Sequence, residues 1–151
     1  MKMNNSPMAQ ALHLAETAAR LGEVPVGAVV IERGSGRLVT ATHNRVEADH
    51  DPTAHAEVLA LREAAALLRT PRLVNCDLYV TLEPCPMCAQ AIAFARIGRL
   101  IFGAYDPKGG GVEHGARIYD QATCHHRPEV IGGMRESDCA AMLQKFFRAR
   151  R

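Results

Sequence analysis

The fold is decided by two short stretches, HDPTAHAE at residues 50–57 and TLEPCPMC at residues 81–88. Each is expected to lie where a loop leads into a helix, and about thirty residues separate their metal-binding side chains. One histidine nitrogen and two cysteine thiolates suit zinc and leave the fourth tetrahedral position open to water. We therefore expect His55, Cys85 and Cys88 to hold one Zn²⁺ ion.

Glu57 is the expected proton carrier of this site. Zinc lowers the pKa of a bound water towards about 7, and a nearby acid must accept and return the protons. Glu57 lies two residues after His55 on the same helical turn, so it can reach the water without being a ligand. A structural zinc site would favour four protein ligands, and a redox dithiol would not need the histidine motif.

Helical and extended patterns alternate along the rest of the chain. Helices are expected over residues 6–21, 54–68, 86–97 and 136–149, and strands over 24–31, 38–42, 78–80 and 100–102. Gly34 and Gly36 indicate a hairpin between the first two strands. The alternation predicts a three-layer α/β/α sandwich around a mixed sheet.

Length and composition favour a single domain over residues 1–151. The chain is 48% apolar and carries a formal charge of +2, which neither demands nor excludes a nucleic-acid partner. No apolar run approaches the roughly 18 residues of a membrane span, and the N-terminus lacks the apolar stretch of a signal peptide. Five cysteines, an odd number, do not indicate a disulfide framework. We expect a cytoplasmic protein without a membrane partner.

At these motifs the chain resembles the cytidine deaminase-like superfamily, and within it the bacterial tRNA-specific adenosine deaminases. The combination of a His-x-Glu motif with a Pro-Cys-x-x-Cys motif is typical of zinc nucleobase deaminases. The resemblance also covers the strand at residues 23–29, the segment that begins at Asn44, and the ending at residues 146–151. It implies a central mixed sheet of five strands.

The resemblance implies roles for further residues. Asn44 would hydrogen-bond the base, Val26 would line the pocket, and the backbone N–H of Ala56 would help to hold the ring. It also implies a homodimer with one Zn²⁺ per subunit. Further candidate substrate contacts are Pro84, His114 and Tyr119.

The substrate is left open by residues 108–129, which differ from the corresponding segment of tRNA-acting relatives. One hypothesis is hydrolysis of adenosine to inosine at the wobble position of a tRNA anticodon loop. The alternative keeps the chemistry but acts on a free base, nucleoside or related amino-heterocycle such as guanine or cytosine. A third hypothesis is a non-catalytic zinc module that binds nucleic acid or a partner.

The same segment contains a second group of potential metal ligands, Cys124, His125 and His126. We expect these residues to shape a loop near the pocket rather than to bind a second metal.

Overall fold

The structure, a computed structural model, describes residues 5–150. Residues 1–4, on which the absence of a signal peptide partly rests, and Arg151 lie outside the described part. No helix within it is both long and apolar enough to cross a membrane. The elements are α1 (Pro7–Arg20), β1 (Gly27–Glu32), β2 (Leu38–His43), α2 (Ala56–Leu68), β3 (Cys76–Leu82), α3 (Pro86–Phe94), β4 (Arg99–Ala104), a 3₁₀ turn (Ile118–Asp120), β5 (Glu129–Ile131) and α4 (Glu136–Arg148).

The five strands form one mixed sheet in the order β2-β1-β3-β4-β5. Strand β1 pairs antiparallel with both β2 and β3, whereas β4 pairs parallel with β3 and β5. Because β3 and β4 are parallel, the chain must cross over between them, and α3 makes that crossover. The ends of β3 and β4 therefore lie side by side and are followed by α3 and by the loop that begins at Tyr105.

Helices cover both faces of the sheet and complete the expected three-layer sandwich. The larger core lies between the sheet and the pair α2 and α3, and is filled by residues such as Leu78, Ile92 and Phe102. The smaller core lies beneath α1 and α4 and includes Met8 and Ile101. The prediction of a three-layer α/β/α fold with a mixed five-stranded sheet is confirmed.

Two glycines allow the outer helices to approach the sheet closely. A Cβ at Gly27 would collide with the carbonyl oxygen of Ala11 and lie 2.9 Å from the nitrogen of Ala15. A Cβ at Gly103 would collide with the sulfur of Cys139 on α4. Helix α1 therefore packs its backbone directly on β1, beside the residues that enter the site.

Strand β1 and helix α2 begin later than the sequence predicts, because the preceding residues form local hydrogen bonds in turns and loops. Strand β1 begins at Gly27 rather than at Val24, because the N–H of Val26 donates to the carbonyl of Val24 in a tight turn. Helix α2 begins at Ala56 rather than at Ala54, with His55 as its N-cap residue. Asp51, in the loop before α2, accepts hydrogen bonds from the N–H and hydroxyl of Thr53.

Candidate zinc centre and substrate cavity

The three expected metal ligands meet at the beginnings of two helices. His55 is the N-cap residue of α2, Cys85 is the N-cap residue of α3, and Cys88 lies in the first turn of α3. Neither N-cap residue uses its side chain to cap its helix, which leaves the imidazole and the thiol free to turn inward. The positive ends of both helices point at the cluster and stabilise thiolates there.

The donor atoms fit a tetrahedral zinc ion. Nδ1 of His55 lies 3.6 Å from Sγ of Cys85 and 3.5 Å from Sγ of Cys88. Two donors at ordinary Zn–N and Zn–S distances on a tetrahedral ion are about 3.6 Å apart. The three residues are therefore positioned to bind one metal ion. Within residues 5–150 no other group of three or more potential metal ligands lies close enough together to do so.

Electrostatics at Cys85 favour the thiolate, the form that binds a metal. The thiol of Cys88 donates a hydrogen bond to Cys85. Together with the interaction with His55, this hydrogen bond outweighs the opposing effect of burial and lowers the pKa of Cys85 to about 4. A thiolate is therefore present at neutral pH before a metal binds, which favours loading.

Glu57 points into the same site from the first turn of α2. It is buried, with 4% of its surface exposed. Burial raises the pKa of Glu57 to about 7. A carboxyl group near neutrality can both accept and return a proton at physiological pH, which is the property of a general acid–base catalyst.

Asn44 and Ala56, both expected to contact substrate, are bonded to each other. Oδ1 of Asn44 accepts a hydrogen bond from the N–H of Ala56 at 2.7 Å, and Ala56 accepts one from the hydroxyl of Thr42 at 2.7 Å. In this structure the N–H of Ala56 thus orients the asparagine rather than facing a ring. Nδ2 of Asn44 makes no hydrogen bond within residues 5–150 and remains available as a donor.

A cavity of about 620 Å³ adjoins the zinc ligands and collects the remaining groups. Val26, Asn44 and Glu57 line it, as do the ligands His55 and Cys85. Its other walls come from the loop after α1, the segment after β2, the start of the 105–117 loop and α4; they include Glu23, Glu47, Pro52, Leu82, Glu83, Asp106, Gly109, Phe146 and Arg150. The volume is sufficient for a nucleobase with its sugar.

The structure corrects the prediction that Tyr119 contacts the substrate. It is buried in the larger core, and its hydroxyl donates to the carbonyl of Ala89 on α3 at 2.9 Å. The 3₁₀ turn at Ile118–Asp120 directs the ring beneath α3 instead of towards the cavity. A lone tyrosine in an irregular segment gave no periodicity from which this burial could be predicted.

Pro84 and His114 are likewise not among the residues that line the cavity. Pro84 is buried, and its carbonyl accepts the N–H of Gly111 at 2.8 Å. The ring of His114 bonds to Glu83 at 2.8 Å through Nδ1. Both residues shape the wall behind the cavity.

The Cys124-His125-His126 group lies away from the zinc ligands, which corrects its expected place near the pocket. The Cys124 thiol donates to the carbonyl of His126, and Nε2 of His126 bonds to the carbonyl of Ile97 at 2.7 Å. His125 and His126 border a separate cavity of about 140 Å³ beside Phe94. The bond to Ile97 attaches the loop to the segment between α3 and β4.

Glu83 is a buried acid that lies two residues before the metal ligand Cys85. Its side chain is fully buried beside the cysteine turn. Burial alone would raise its pKa, but hydrogen bonds from Asp106, His114, Glu113 and Val112 outweigh burial and hold the pKa below its ordinary value. The carboxylate is therefore charged at neutral pH.

Comparison with known proteins agrees with this geometry. The family model described as the cytidine and deoxycytidylate deaminase zinc-binding region matches residues 1–104. A tRNA-specific adenosine deaminase of Agrobacterium fabrum is 51% identical over 144 residues, which cover 95% of this chain and 93% of the relative.

Two solved structures show how the fold is shared. One, from studies of A-to-I editing by tRNA deaminases at the wobble position of transfer RNA, has a TM-score of 0.88 and 50% identity, and the match covers 91% of this chain and 98% of that one. A guanine deaminase from Nitrosomonas europaea has a TM-score of 0.79 and 26% identity, with 96% and 86% covered.

The mixed sheet, the three ligands at two helix starts and the buried acid beside them define a zinc-dependent hydrolytic deaminase. The match to the family model spans both metal motifs, and the similarity to the relatives spans nearly the whole chain. The chain belongs to the cytidine and deoxycytidylate deaminase family, in its tRNA-specific adenosine deaminase branch.

Proposed function

We propose that this protein hydrolyses adenosine to inosine at the wobble position of a tRNA anticodon loop. The observation that carries the proposal is the convergence of the ligands His55, Cys85 and Cys88 with Glu57 and Asn44 around one cavity. Relatives named tRNA-specific adenosine deaminase share up to 51% identity over 95% of the chain, which supports the choice of substrate.

Glu57 moves the protons of the reaction. A zinc ion held by the three ligands would act as a Lewis acid that makes water a nucleophile at neutral pH. Glu57 accepts one proton from the attacking water and delivers it to N1 of the adenine ring. It then carries the second water proton to the exocyclic nitrogen, which leaves as ammonia while C6 keeps the oxygen. Water is thus divided between inosine and ammonia, and Glu57 returns to its starting state.

Asn44 holds the base in the proposed complex. Because Oδ1 is occupied by the N–H of Ala56, the free Nδ2 presents a donor to an acceptor atom of the purine edge. Val26, which is 4% exposed, gives the apolar surface against which the ring lies. The fixed asparagine orients the base with its amino-bearing carbon towards the zinc ligands.

The charge around the cavity favours a nucleotide that enters from a longer RNA. Five acids line the cavity. Among the described residues, Arg150 is the only arginine or lysine in the lining. A free nucleotide would bring its phosphates among those acids, where like charges repel. A base flipped out of an anticodon loop enters alone, and its flanking phosphates stay outside near Arg150, which follows α4.

Arg150 is the cation best placed for those phosphates. It stacks 3.8 Å over the ring of Phe146 on α4 and lies at the cavity wall. Arg45, which follows Asn44 in the sequence, is already paired with Asp49 at 2.9 Å and so is partly neutralised. Arg151, the last residue of the basic ending, lies outside the described part of the chain.

Hydrolysis of a free base is the second candidate function, favoured by the structural likeness to the Nitrosomonas europaea guanine deaminase. Phe146 of α4 and Arg150, which follows that helix, border the cavity and could close over a small molecule. The low identity of 26% makes this the weaker alternative.

The test is product analysis of an anticodon stem-loop with adenosine at the wobble position. Zinc-loaded protein is incubated with this RNA, with a matched RNA that carries adenosine elsewhere in the loop, and with free guanine. Mass analysis of the digested RNA should find inosine only at the wobble position. Conversion of guanine without inosine formation would support the second candidate, and equal activity of Glu57→Gln would contradict both.

We also propose a single deaminase domain over residues 1–151, which acts in the cytoplasm, where its tRNA substrate resides, and forms a homodimer. Two large apolar side chains of α3 support the dimer: Met87 is 37% exposed and Phe94 is 76% exposed. Both lie on the helix whose N-cap residue and first turn provide two zinc ligands, and exposed apolar surface can mark a site of protein interaction. A second copy of the chain would cover them.

A further inference from the structure

The carboxylate of Glu83 is bonded almost wholly to one loop. Oε1 accepts the N–H of Asp106 at 3.0 Å and the ring nitrogen Nδ1 of His114 at 2.8 Å. Oε2 accepts three successive backbone N–H groups, those of Val112 at 3.2 Å, Glu113 at 2.9 Å and His114 at 3.1 Å. Five donors therefore converge on one buried anion.

These bonds connect the zinc turn with a wall of the substrate cavity. Glu83 directly precedes Pro84 and Cys85, so its backbone leads into a metal ligand. The loop that it holds begins at Asp106 and Gly109, which both line the cavity. A shift of this loop would move the wall against the ligands without any change in the zinc donors.

Glycines at the centre of the loop allow this close contact. A Cβ at Gly110 would collide with Oε2 of Glu83, and one at Gly111 would collide with the backbone of Pro86. The N–H of Gly111 also donates to the carbonyl of Pro84 at 2.8 Å. Loop and zinc turn are thus packed backbone against backbone, with Glu83 between them.

We propose that Glu83 is a positioning residue that holds the loop of residues 106–114 in register with the zinc turn and thereby sets the shape of the substrate cavity. A carboxylate is required because all five partners are donors, and an ionised carboxylate is acceptor-only. A glutamine of the same size would place its NH₂ group against N–H donors. Either the hydrogen bond to Asp106 or the hydrogen bonds to residues 112–114 would then be lost.

Asp77 offers a matched control for a purely stabilising acid. It lies near the start of β3, the strand that leads to Glu83, and its side chain is 5% exposed and forms ion pairs with Arg33 at 2.8 Å and with Arg99 at 2.9 Å. In the sheet Asp77 pairs with Ile31 of β1 and with Arg99 of β4, at the end of β3 that lies away from the cavity. Its loss should weaken the fold and leave the loop in place.

The experiment compares zinc-loaded Glu83→Gln and Asp77→Asn with the wild type. Zinc content, thermal midpoint, steady-state kinetics on the wobble-adenosine stem-loop, and amide hydrogen exchange at residues 106–114 are measured. The kinetic readout rests on the proposed function, whereas hydrogen exchange tests the positioning role even if the stem-loop is not the substrate. His114→Ala, which removes one partner from a half-exposed site, is included in case Glu83→Gln does not fold.

For Glu83→Gln we expect zinc still bound at one per chain, kcat/KM lower by about tenfold or more, mainly through KM, and loop amides that exchange at least about tenfold faster. His114→Ala should show a smaller change of about threefold in the same direction. Asp77→Asn should lower the thermal midpoint with kcat/KM within about twofold of wild type. The proposal is overturned if Glu83→Gln, or His114→Ala when the former does not fold, leaves both loop exchange and kcat/KM unchanged.

Discussion

Replacement of Asn44 by alanine should damage stability and activity through two different atoms. Oδ1 accepts the N–H of Ala56, which is a donor at the start of α2 with no other partner among the described residues. Ala56 is fully buried, so water cannot take the place of the lost acceptor. Nδ2 is the atom proposed to bind the base, and it is lost in the same substitution.

The stability cost follows from the single orphaned donor. A buried N–H left without a partner costs about 1–3 kcal/mol. For a domain of this size about 1 kcal/mol shifts Tm by roughly 2–4 °C, so a mid-range loss of about 2 kcal/mol predicts a fall of roughly 4–8 °C. Thermal unfolding of zinc-loaded Asn44→Ala against wild type measures this difference.

Asn44→Asp is the matched control, because it keeps the acceptor and removes the amide donor. Its carboxylate at the N-terminus of α2 can still accept the N–H of Ala56, so most of the stability should return. Activity should remain low in both variants, since neither has Nδ2. An unchanged Tm in Asn44→Ala, or wild-type turnover by Asn44→Asp, would refute this division of roles.

Three further predictions concern the site and the dimer. Glu57→Gln should keep one zinc per chain, measured by metal analysis, yet release ammonia about 10²–10⁴-fold more slowly; a loss of zinc in parallel would mean that Glu57 acts on the metal instead. Removal of zinc by a chelator should lower Tm, and the effect should be absent in Cys85→Ser, which lacks a ligand; equal shifts in both proteins would contradict the assigned ligand set. Phe94→Glu, which places a charge on the exposed end of α3, should shift the protein to monomers in light scattering, and an unaffected dimer would place the interface elsewhere.

The metal site could be predicted from sequence because its signal is local. His55 and Glu57 are two residues apart, and Cys85 and Cys88 are three apart, so each pair lies within one turn at a helix start. Once both helices begin beside the same sheet, the ligands need little else to converge. The expected Cys and His ligands are confirmed as a group that fits one metal.

Other features depend on distant partners and left no local pattern. Strand β5 has three residues, Glu129–Ile131, at the sheet edge, and only the family resemblance indicated a fifth strand. Tyr119 resembled a substrate contact until its hydroxyl was found bonded to Ala89 beneath α3. Glu83 gathers donors up to 31 residues away, and a single glutamate before a proline gives no sign of that network.

The proposed function is tested most directly by ammonia release with substrates in parallel: the wobble-adenosine stem-loop, free adenosine, and free guanine, each with zinc-loaded wild-type protein. We expect kcat/KM for the stem-loop to exceed that for either free compound by at least about a hundredfold, because only the stem-loop carries flanking phosphates that can contact Arg150 at the cavity wall. Release of ammonia from guanine or adenosine at rates equal to or above those of the stem-loop would contradict the tRNA substrate.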